Sequence, residues 1–294
     1  MRVAIIGNNK CWHAGRLTAA LQSKGIGTDN FLPQMFRASV GGSSGITVRG
    51  LALDGYDIVL VRSLPGGSLE QVIFRVDVLH HLEDMGVPVI NRPSCIEKTV
   101  DKYYTSALLA AGGIPTPKTV VTENYNTAMS VFSEMKDVIV KPLFGSLGLG
   151  IVRLTDEDTA HRVFRAWQSC NYVFYIQEYI PHNNRDIRAF VLGSRVIASM
   201  QRLGDGWKTN INRGARAESM VIGPALEELC LKTANILGAD YLGVDILVSN
   251  EGKPYVIEAN SIPGWKGLQE TTNLDIALEI ADFVIAKGGL AASG

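Results

Sequence analysis

The chain is poor in cysteine, and its cysteines form no pattern. Four occur in 294 residues, Cys11, Cys95, Cys170 and Cys230, far apart and with no Cys-x-x-Cys pair. That excludes a disulfide-stapled scaffold and a zinc ribbon, and reduced thiols in the cytoplasm are the expectation. An excess of charge of one sign is also lacking: 28 Lys and Arg against 29 Asp and Glu leave a formal net charge of −1. A general basic surface for nucleic acid is thereby excluded. No apolar run is long enough to span a membrane, and no charged-then-apolar signal opens the chain. There is no internal repeat and no acidic or basic tail. The five histidines build no metal or nucleophile set. His80-His81 falls on the surface of a predicted helix, and His13 and His182 lie near loops with no second ligand at metal spacing.

What is present suits a compact enzyme of two or three subdomains, with a hydrophobic content of 46 %. Arg2-Val-Ala-Ile-Ile-Gly7 reads as a buried parallel strand, and Trp12 to Lys24 as a helix ended by Gly25. This opening is Rossmann-like, but no Gly-x-Gly-x-x-Gly follows it, so no dinucleotide is expected there. Arg37 to Gly50 is rich in Gly and Ser and reads as a mobile loop, and Leu69 to Gly86 as a helix. A domain break is expected near Asn91-Arg-Pro.

The most informative segment lies near the C-terminus. Leu242 to Ser249 and Pro254 to Asn260 read as strands joined by a short turn at Asn250-Glu-Gly-Lys253. Closure around Glu251-Gly252 puts Asp245 directly opposite Glu258, with Asn260 two residues further on the same face. Like charges facing each other destabilise a sheet, so a cation between them is the natural reading. The donors are hard oxygens without His or Cys, which favours Mg²⁺ or Mn²⁺ over zinc. A solvated strand face with chance register is the alternative.

A divalent ion held by few side chains completes its shell with phosphates. Asp137-Val-Ile-Val-Lys141 is an apolar strand ending in a lysine. A loop with Gly145, Ser146, Gly148 and Gly150 follows, then the strand Ile151-Val-Arg-Leu154. Glycines let backbone N–H groups approach anionic oxygens, and the lysine adds a point charge. It is not a P-loop: Ile151-Val152 stands where Lys-Ser/Thr is required, and no helix follows. A plain flexible hairpin is the alternative. Tyr172 to Pro181 is a β-prone run whose end, Gln177-Glu178-Tyr179-Ile180, is a place for an adenine or simply a core strand. A cationic and polar run comes next: Asp186, Arg188, Arg202, Lys208, Asn210, Asn212 and Arg213. Basic residues among apolar strands are costly to bury unless they meet anions, and Arg suits phosphate and carboxylate alike. Arg185, Arg195 and Arg216 are expected at the surface.

In this order the motifs resemble the ATP-grasp superfamily and, within it, the RimK-like α-L-glutamate ligases. The resemblance extends upstream through Val89-Ile-Asn91-Arg-Pro-Ser, Asp101-Lys102 and Gly113-Ile-Pro-Thr-Pro-Lys-Thr119, and covers roughly residues 85 to 270. It implies an α/β chain, α+β in its grasp domains, with a Rossmann-like N-terminal domain at 1–92. A central subdomain at 93–177 and a C-terminal one at 178–294 would follow. It implies an ADP-forming ligase that activates a carboxylate as an acyl phosphate and joins it to an amine. By the same resemblance, Lys102 and Lys141 hold nucleotide phosphates under the loop Gly145, Ser146, Gly148 and Gly150, and Arg188 is a further nucleotide-binding residue. Gln177, Glu178, Tyr179 and Ile180 then contact adenine, with Glu178 or Asp186 near the ribose. Asp245, Glu258 and Asn260 hold Mg²⁺. Arg202, Arg213, Lys208 and Asn210 act on the transferred phosphate and substrate carboxylate, and the N-terminal residues Asn8, Asn9 and Arg62 on the acceptor.

One departure bears on the substrate. Ser261-Ile-Pro-Gly-Trp265-Lys266 follows Asn260, where RimK-like ligases generally carry a Ser-Pro-Gly-like turn. The Pro-Gly-Trp version is similar to members that add glutamate to coenzymes, including tetrahydromethanopterin and deazaflavin. Trp265 either stacks on a ring or packs as core. The expected partners are ATP, Mg²⁺ or Mn²⁺, L-glutamate and a carboxylate-bearing acceptor, a small coenzyme such as a pterin. A protein C-terminus or an amino-group carrier protein is the alternative acceptor, and a non-catalytic ATP-binding regulator the alternative class. No nucleic acid or membrane partner is expected, and the chain is expected to form a homo-oligomer.

Overall fold

The structure, a computed structural model, describes residues 1–8, 10–41, 45–145, 149–211 and 214–291, the side chains of 290 and 291 excepted. Three larger sheets organise it, with a small three-stranded one on the flank of the first. The first is parallel, with β1 (Arg2–Ile6) between β2 (Gly27–Phe31) and β6 (Ile58–Val61), and β7 (Val89–Ile90) beyond β6. Every residue of β6 is buried, which matches its unbroken apolar sequence Ile-Val-Leu-Val. Helix α1 (Trp12–Ser23) returns the chain from β1, and Gly25 ends that segment at φ 75°. Helix α2 (Leu69–Asp84) starts on a capping box between Ser68 and Gln71.

The stretch expected to be a mobile loop, Arg37 to Gly50, instead carries β3 (Phe36–Ser39) and β4 (Gly45–Val48), paired antiparallel. Phe36, Ile46 and Val48 are buried and pack on the flank of the parallel sheet. Three well-spaced apolar residues outweigh the Gly/Ser composition that suggested a loop.

The second sheet is antiparallel, in the order β10 (Val152–Leu154), β9 (Val138–Lys141), β11 (Phe174–Glu178), β8 (Thr119–Thr122). Helices α5 (Tyr125–Met135) and α6 (Glu157–Ser169) cover one face, where Val138, Val140, Phe174 and Ile176 form a core with Phe132 and Phe164. The third sheet is also antiparallel, in the order β14 (Arg216–Ser219), β13 (Arg195–Leu203), β12 (Arg185–Leu192), β15 (Tyr241–Val248), β16 (Pro254–Asn260). Its covered face buries Ile187, Ala189, Val191, Val244 and Ile246 against α7 (Pro224–Leu237).

The N-terminal sheet and the third sheet share a core. Helix α9 (Ile276–Ala291) packs on α1, and its Ile276, Ile280 and Val284 meet Ile5, Leu17 and Trp265 there. Among the described residues no helix is long and apolar enough to cross a membrane. Asn91 is fully buried and joins the same two parts. Its Nδ2 donates to the carbonyls of Tyr241 (2.7 Å) and Ser261 (2.6 Å), and its Oδ1 accepts the N–H groups of Asp240 (2.6 Å) and Tyr241 (3.2 Å). Both ends of the β15–β16 hairpin are thus fixed to the chain that leaves β7. Asn91→Ala leaves several buried backbone groups unpaired and is expected to cost at least about 3 kcal/mol, read as a lower urea midpoint at unchanged slope.

Candidate active site

A cleft lies between the second and third sheets, and strand periodicity decides what lines it. On β9 and β11 the residues Ile139, Lys141, Tyr175 and Gln177 share the face opposite the apolar core, because Tyr175 pairs with Lys141 and Gln177 with Ile139. Lys141 is buried there, and its ammonium donates to Gln177 Oε1 at 2.7 Å. Gln177 Nε2 in turn donates to Thr119 Oγ1 and Tyr175 Oη, both at 3.1 Å, and Tyr175 Oη meets Ser106 Oγ at 2.8 Å. The Gln177 side chain is therefore committed to aiming Lys141, and its backbone lies within the sheet, paired with Ile139 on one side and Thr119 on the other. Burial pushes the Lys141 ammonium down to about 8, against the pull of Glu258. Lys102, at the start of α4 (Lys102–Ala111), is also lowered by burial and donates to the carbonyls of Leu143 (3.3 Å) and Gly145 (2.8 Å). Lys102 thus holds the rim of the glycine loop. Lys208 does so from the far side, donating to Ile151 O at 2.8 Å. Ser146, Gly148, Asn212 and Arg213 lie outside the described residues, as does Asn9.

On the third sheet, charged residues occupy adjacent strands on the face turned away from α7. Asp186 pairs with Arg202 across β12 and β13, Arg188 with Asp245 across β12 and β15, and Asp245 with Glu258 across β15 and β16. Arg202 grips Asp186 through Nε and Nη2, both at 2.6 Å, and reaches Asp245 Oδ1 at 3.2 Å. Arg188 Nη1 donates to both Asp245 oxygens at 2.7 and 2.8 Å, and Thr209 Oγ1 adds a bond to Asp186 at 2.6 Å. Burial works to raise Asp245, but the Arg188 and Arg202 guanidinium groups overrule it and hold the carboxyl below its usual range. With its amide turned to satisfy both neighbours, Asn260 donates to Glu258 Oε1 (3.3 Å) and accepts from Arg188 Nη1 (3.2 Å).

The pairing of Asp245 with Glu258 is reached by a route that counting from the turn does not show. Near the turn the register runs one residue short of the expected count, with Val248 opposite Pro254. Ser249 N–H bonds to Lys253 O and Gly252 N–H to Ser249 O, with Gly252 at φ 84°. A bulge at Ile257 then restores the count and turns both Ile257 and Glu258 into the cleft. Glu258, Asn210 and the Glu178 to Ile180 backbone line the same space. At that hinge Glu178 accepts the N–H of Lys118 (2.6 Å), and Tyr179 lies under the Arg153 guanidinium, 3.5 Å from its ring centre.

The cleft carries one feature the motifs did not flag, the chain Ser106–Tyr175–Gln177–Lys141, whose only sequence signal is the alternation along β11. Arg62 is buried away from the cleft: it donates to Tyr241 Oη (2.9 Å) and Pro263 O (2.8 Å). Trp265, left open between stacking and packing, is core at 1 % exposure, against Phe190 and His13. Arg185, Arg195 and Arg216 are exposed, as expected.

The sequence profile of the RimK-like ATP-grasp domain matches residues 99–284. The chain belongs to the RimK-like ATP-grasp family. It is an ATP-dependent ligase. It is 39 % identical over 240 residues to the tetrahydromethanopterin:alpha-L-glutamate ligase of Methanocaldococcus jannaschii, covering 79 % of this chain and 80 % of that one. With the Methanococcus maripaludis ligase of the same name it shares 33 % over 287 residues, 96 % of this chain and 97 % of the other. Its fold is that of the ATP-grasp ligase PsnB in complex with a minimal precursor, at TM-score 0.78 and 24 % identity over 97 % and 98 % of the two chains.

This RimK-like ligase offers hard oxygen donors to a metal at Asp245, Glu258 and Asn260. Among the described residues no three His, Cys, Asp or Glu side chains form a complete cage. Two carboxylates and an amide fit an ion that takes its remaining ligands from phosphate oxygens. The two carboxylates differ in structural weight. Asp245→Ala strands two buried guanidinium groups and is expected to destabilise the nucleotide-free protein by about 3–5 kcal/mol. Glu258→Ala, at a half-buried carboxylate without an ion pair of its own among the described residues, is expected to cost less than about 1 kcal/mol. Urea unfolding of both variants checks the contrast.

Proposed function

We propose that this ligase joins L-glutamate to a carboxylate of a pterin coenzyme through an acyl phosphate. The observation that supports the acceptor is the extent of the likeness to the M. maripaludis ligase. It runs over 96 % of this chain and so includes the N-terminal sheet, which lies outside the matched domain. In the first step an acceptor carboxylate oxygen attacks the γ-phosphorus of ATP, and the bond to the departing ADP oxygen breaks. In the second, the glutamate amine attacks the acyl carbon, the C–O bond to phosphate breaks, and the amine gives up a proton as the amide forms. Neither step needs a nucleophilic side chain; both need charge held in place.

The residues divide that work. Lys141, cationic below about pH 8 and aimed by Gln177, faces the phosphates, and Lys102, beside the carbonyls of Leu143 and Gly145, joins it. The hinge from Gln177 to Ile180 takes the adenine through its backbone, and Glu178 lies at the ribose edge. Asp245, Glu258 and Asn260 would hold Mg²⁺, which supplies neutralising charge to the β- and γ-phosphates. Arg202, with Arg213, Lys208 and Asn210 on the following loop, meets the transferred phosphoryl group and the substrate carboxylate. Asp186 and Asp245 orient Arg202 for this, because a bidentate grip fixes the guanidinium plane.

Incubation with MgATP, L-glutamate and tetrahydromethanopterin is expected to release ADP and add one glutamyl mass to the pterin. ADP release only with a peptide or carrier-protein acceptor would discard the pterin. In the same assay Glu258→Ala is expected to lower turnover at least about a hundredfold.

Lys141 adds a pH signature. Its folded value of about 8 lies below the ordinary 10.5, so the buried cation disfavours the folded state at neutral pH and that cost fades as pH rises from 8 to 10.5. Nucleotide affinity has the opposite sign. MgADP binding by calorimetry is expected to weaken as pH rises through about 8, and Lys141→Ala to weaken it below that pH and to flatten the profile. A flat profile in the native protein would remove Lys141 from the phosphate role.

A further inference from the structure

We propose that Trp12, with Lys266 next in chain to the Trp265 ring it meets, is the docking face for the acceptor: a flat heteroaromatic ring against the indole and an anionic group near the ammonium. The inference rests on the pterin reading above and names the surface that would recognise that acceptor.

Trp12 is the first residue of α1 and is 36 % exposed, whereas Trp265 is 1 % exposed. Its ring is held edge-on by His13 (centres 5.0 Å apart, planes at 85°) and by Trp265 (6.2 Å, 61°). His13 and Trp265 lock each other: their rings meet at 4.6 Å, and the Trp265 backbone N–H donates to His13 Nε2 at 3.0 Å. Trp265 rests on Phe190, which stacks on Tyr241. The exposed indole is therefore the outer end of a buried aromatic ladder. An aromatic surface already held in place loses little freedom when a ring settles on it.

The surroundings are cationic. Arg62 lies 4.6 Å from the centre of the Trp265 ring, and its hydrogen bonds go to a neutral hydroxyl and a carbonyl. Among the described residues neither Arg62 nor Lys266 is paired with a carboxylate. The nearest acid–base pair on α1 is Arg16 with Asp275, which satisfy each other at 2.6 Å. His13 is pushed down to about 4 by burial first, then by Arg62 and Lys266, so it stays neutral while both cations act on it. An aromatic platform near two cations that make no ion pair among the described residues suits a planar ring that carries an acid.

The face also borders the reaction cleft. Gly267, next to Lys266, lies so close to Ile211 that an added Cβ would stand 3.7 Å from its Cγ1, and Asn210 beside Ile211 lines the cleft. A molecule seated on Trp12 can extend its reactive carboxylate past Ile211.

Steady-state kinetics with MgATP, L-glutamate and tetrahydromethanopterin test this, with pterin-6-carboxylate as a competitive probe and thermal melting as a check of folding. Trp12→Ala is expected to raise the KM for tetrahydromethanopterin and weaken inhibition by pterin-6-carboxylate, each about tenfold, because stacking on an aromatic side chain is lost. The kcat and the KM for ATP are expected to stay within about twofold. Trp12→Phe recovers part of the loss, and Lys266→Gln raises the acceptor KM and flattens its dependence on salt. An unchanged acceptor KM in Trp12→Ala, or a lower kcat at unchanged KM, overturns the docking face while leaving the pterin reading intact. A native enzyme that glutamylates a peptide but not tetrahydromethanopterin overturns both.

Discussion

Four charged side chains buried on one face of the third sheet set the terms for the rest of the protein. Asp186, Arg188, Arg202 and Asp245 are each at least nine-tenths buried, on a sheet whose other face buries Ile187, Ala189, Val244 and Ile246. Removing such charges from water is costly, and only close mutual pairing with further hydrogen bonds offsets it. The two arginines and two aspartates alternate across adjacent strands, so each carboxylate meets a guanidinium within 2.8 Å. Glu258 stands at the end of the row without such a partner among the described residues and faces Lys102 and Lys141 across the cleft. The paired charges neutralise the interior of the row, and Glu258 adds the negative charge that the proposed cation would meet beside Asp245 and Asn260.

The hairpin that bears Asp245, Glu258 and Asn260 is held from outside its own sheet. Asn91 fastens the start of β15 and the residue after β16, Arg62 fastens Pro263, and His13 fastens Trp265. All three come from the N-terminal part of the chain. That part therefore sets the angle at which the hairpin and the loop behind it stand to the cleft. The shared core of α1, α9 and Trp265 makes this a stiff connection, suited to a site where small displacements cost catalysis.

Much of the site was legible from local pattern. Asp245, Glu258 and Asn260 alternate on two strands joined by a short turn, and a side-chain period of two puts them on one face whatever surrounds them. Lys141 at the end of an apolar strand before a glycine loop is equally local. The Ile257 bulge was not legible, because nothing in Val-Ile-Glu announces an extra residue; the correct pairing was reached by a count that the true turn does not follow. The hairpin of β3 and β4 was missed because glycine and serine outnumber the three buried apolar residues that decide it.

The sequence by itself determined which residues alternate on each strand, where the glycine loop falls, and the order of motifs that marks a RimK-like ligase. Those properties depend on neighbours a few residues away. Only the tertiary structure decided that Arg188 meets Asp245 and that Gln177 aims Lys141. It also decided that Trp265 is core while Trp12 is the exposed end of its ladder. Each of these depends on which strands and helices lie side by side: β12 beside β15, β9 beside β11, and α1 against the loop after β16. Long-range adjacency is set by the packing of whole sheets, and no local run of residues encodes it.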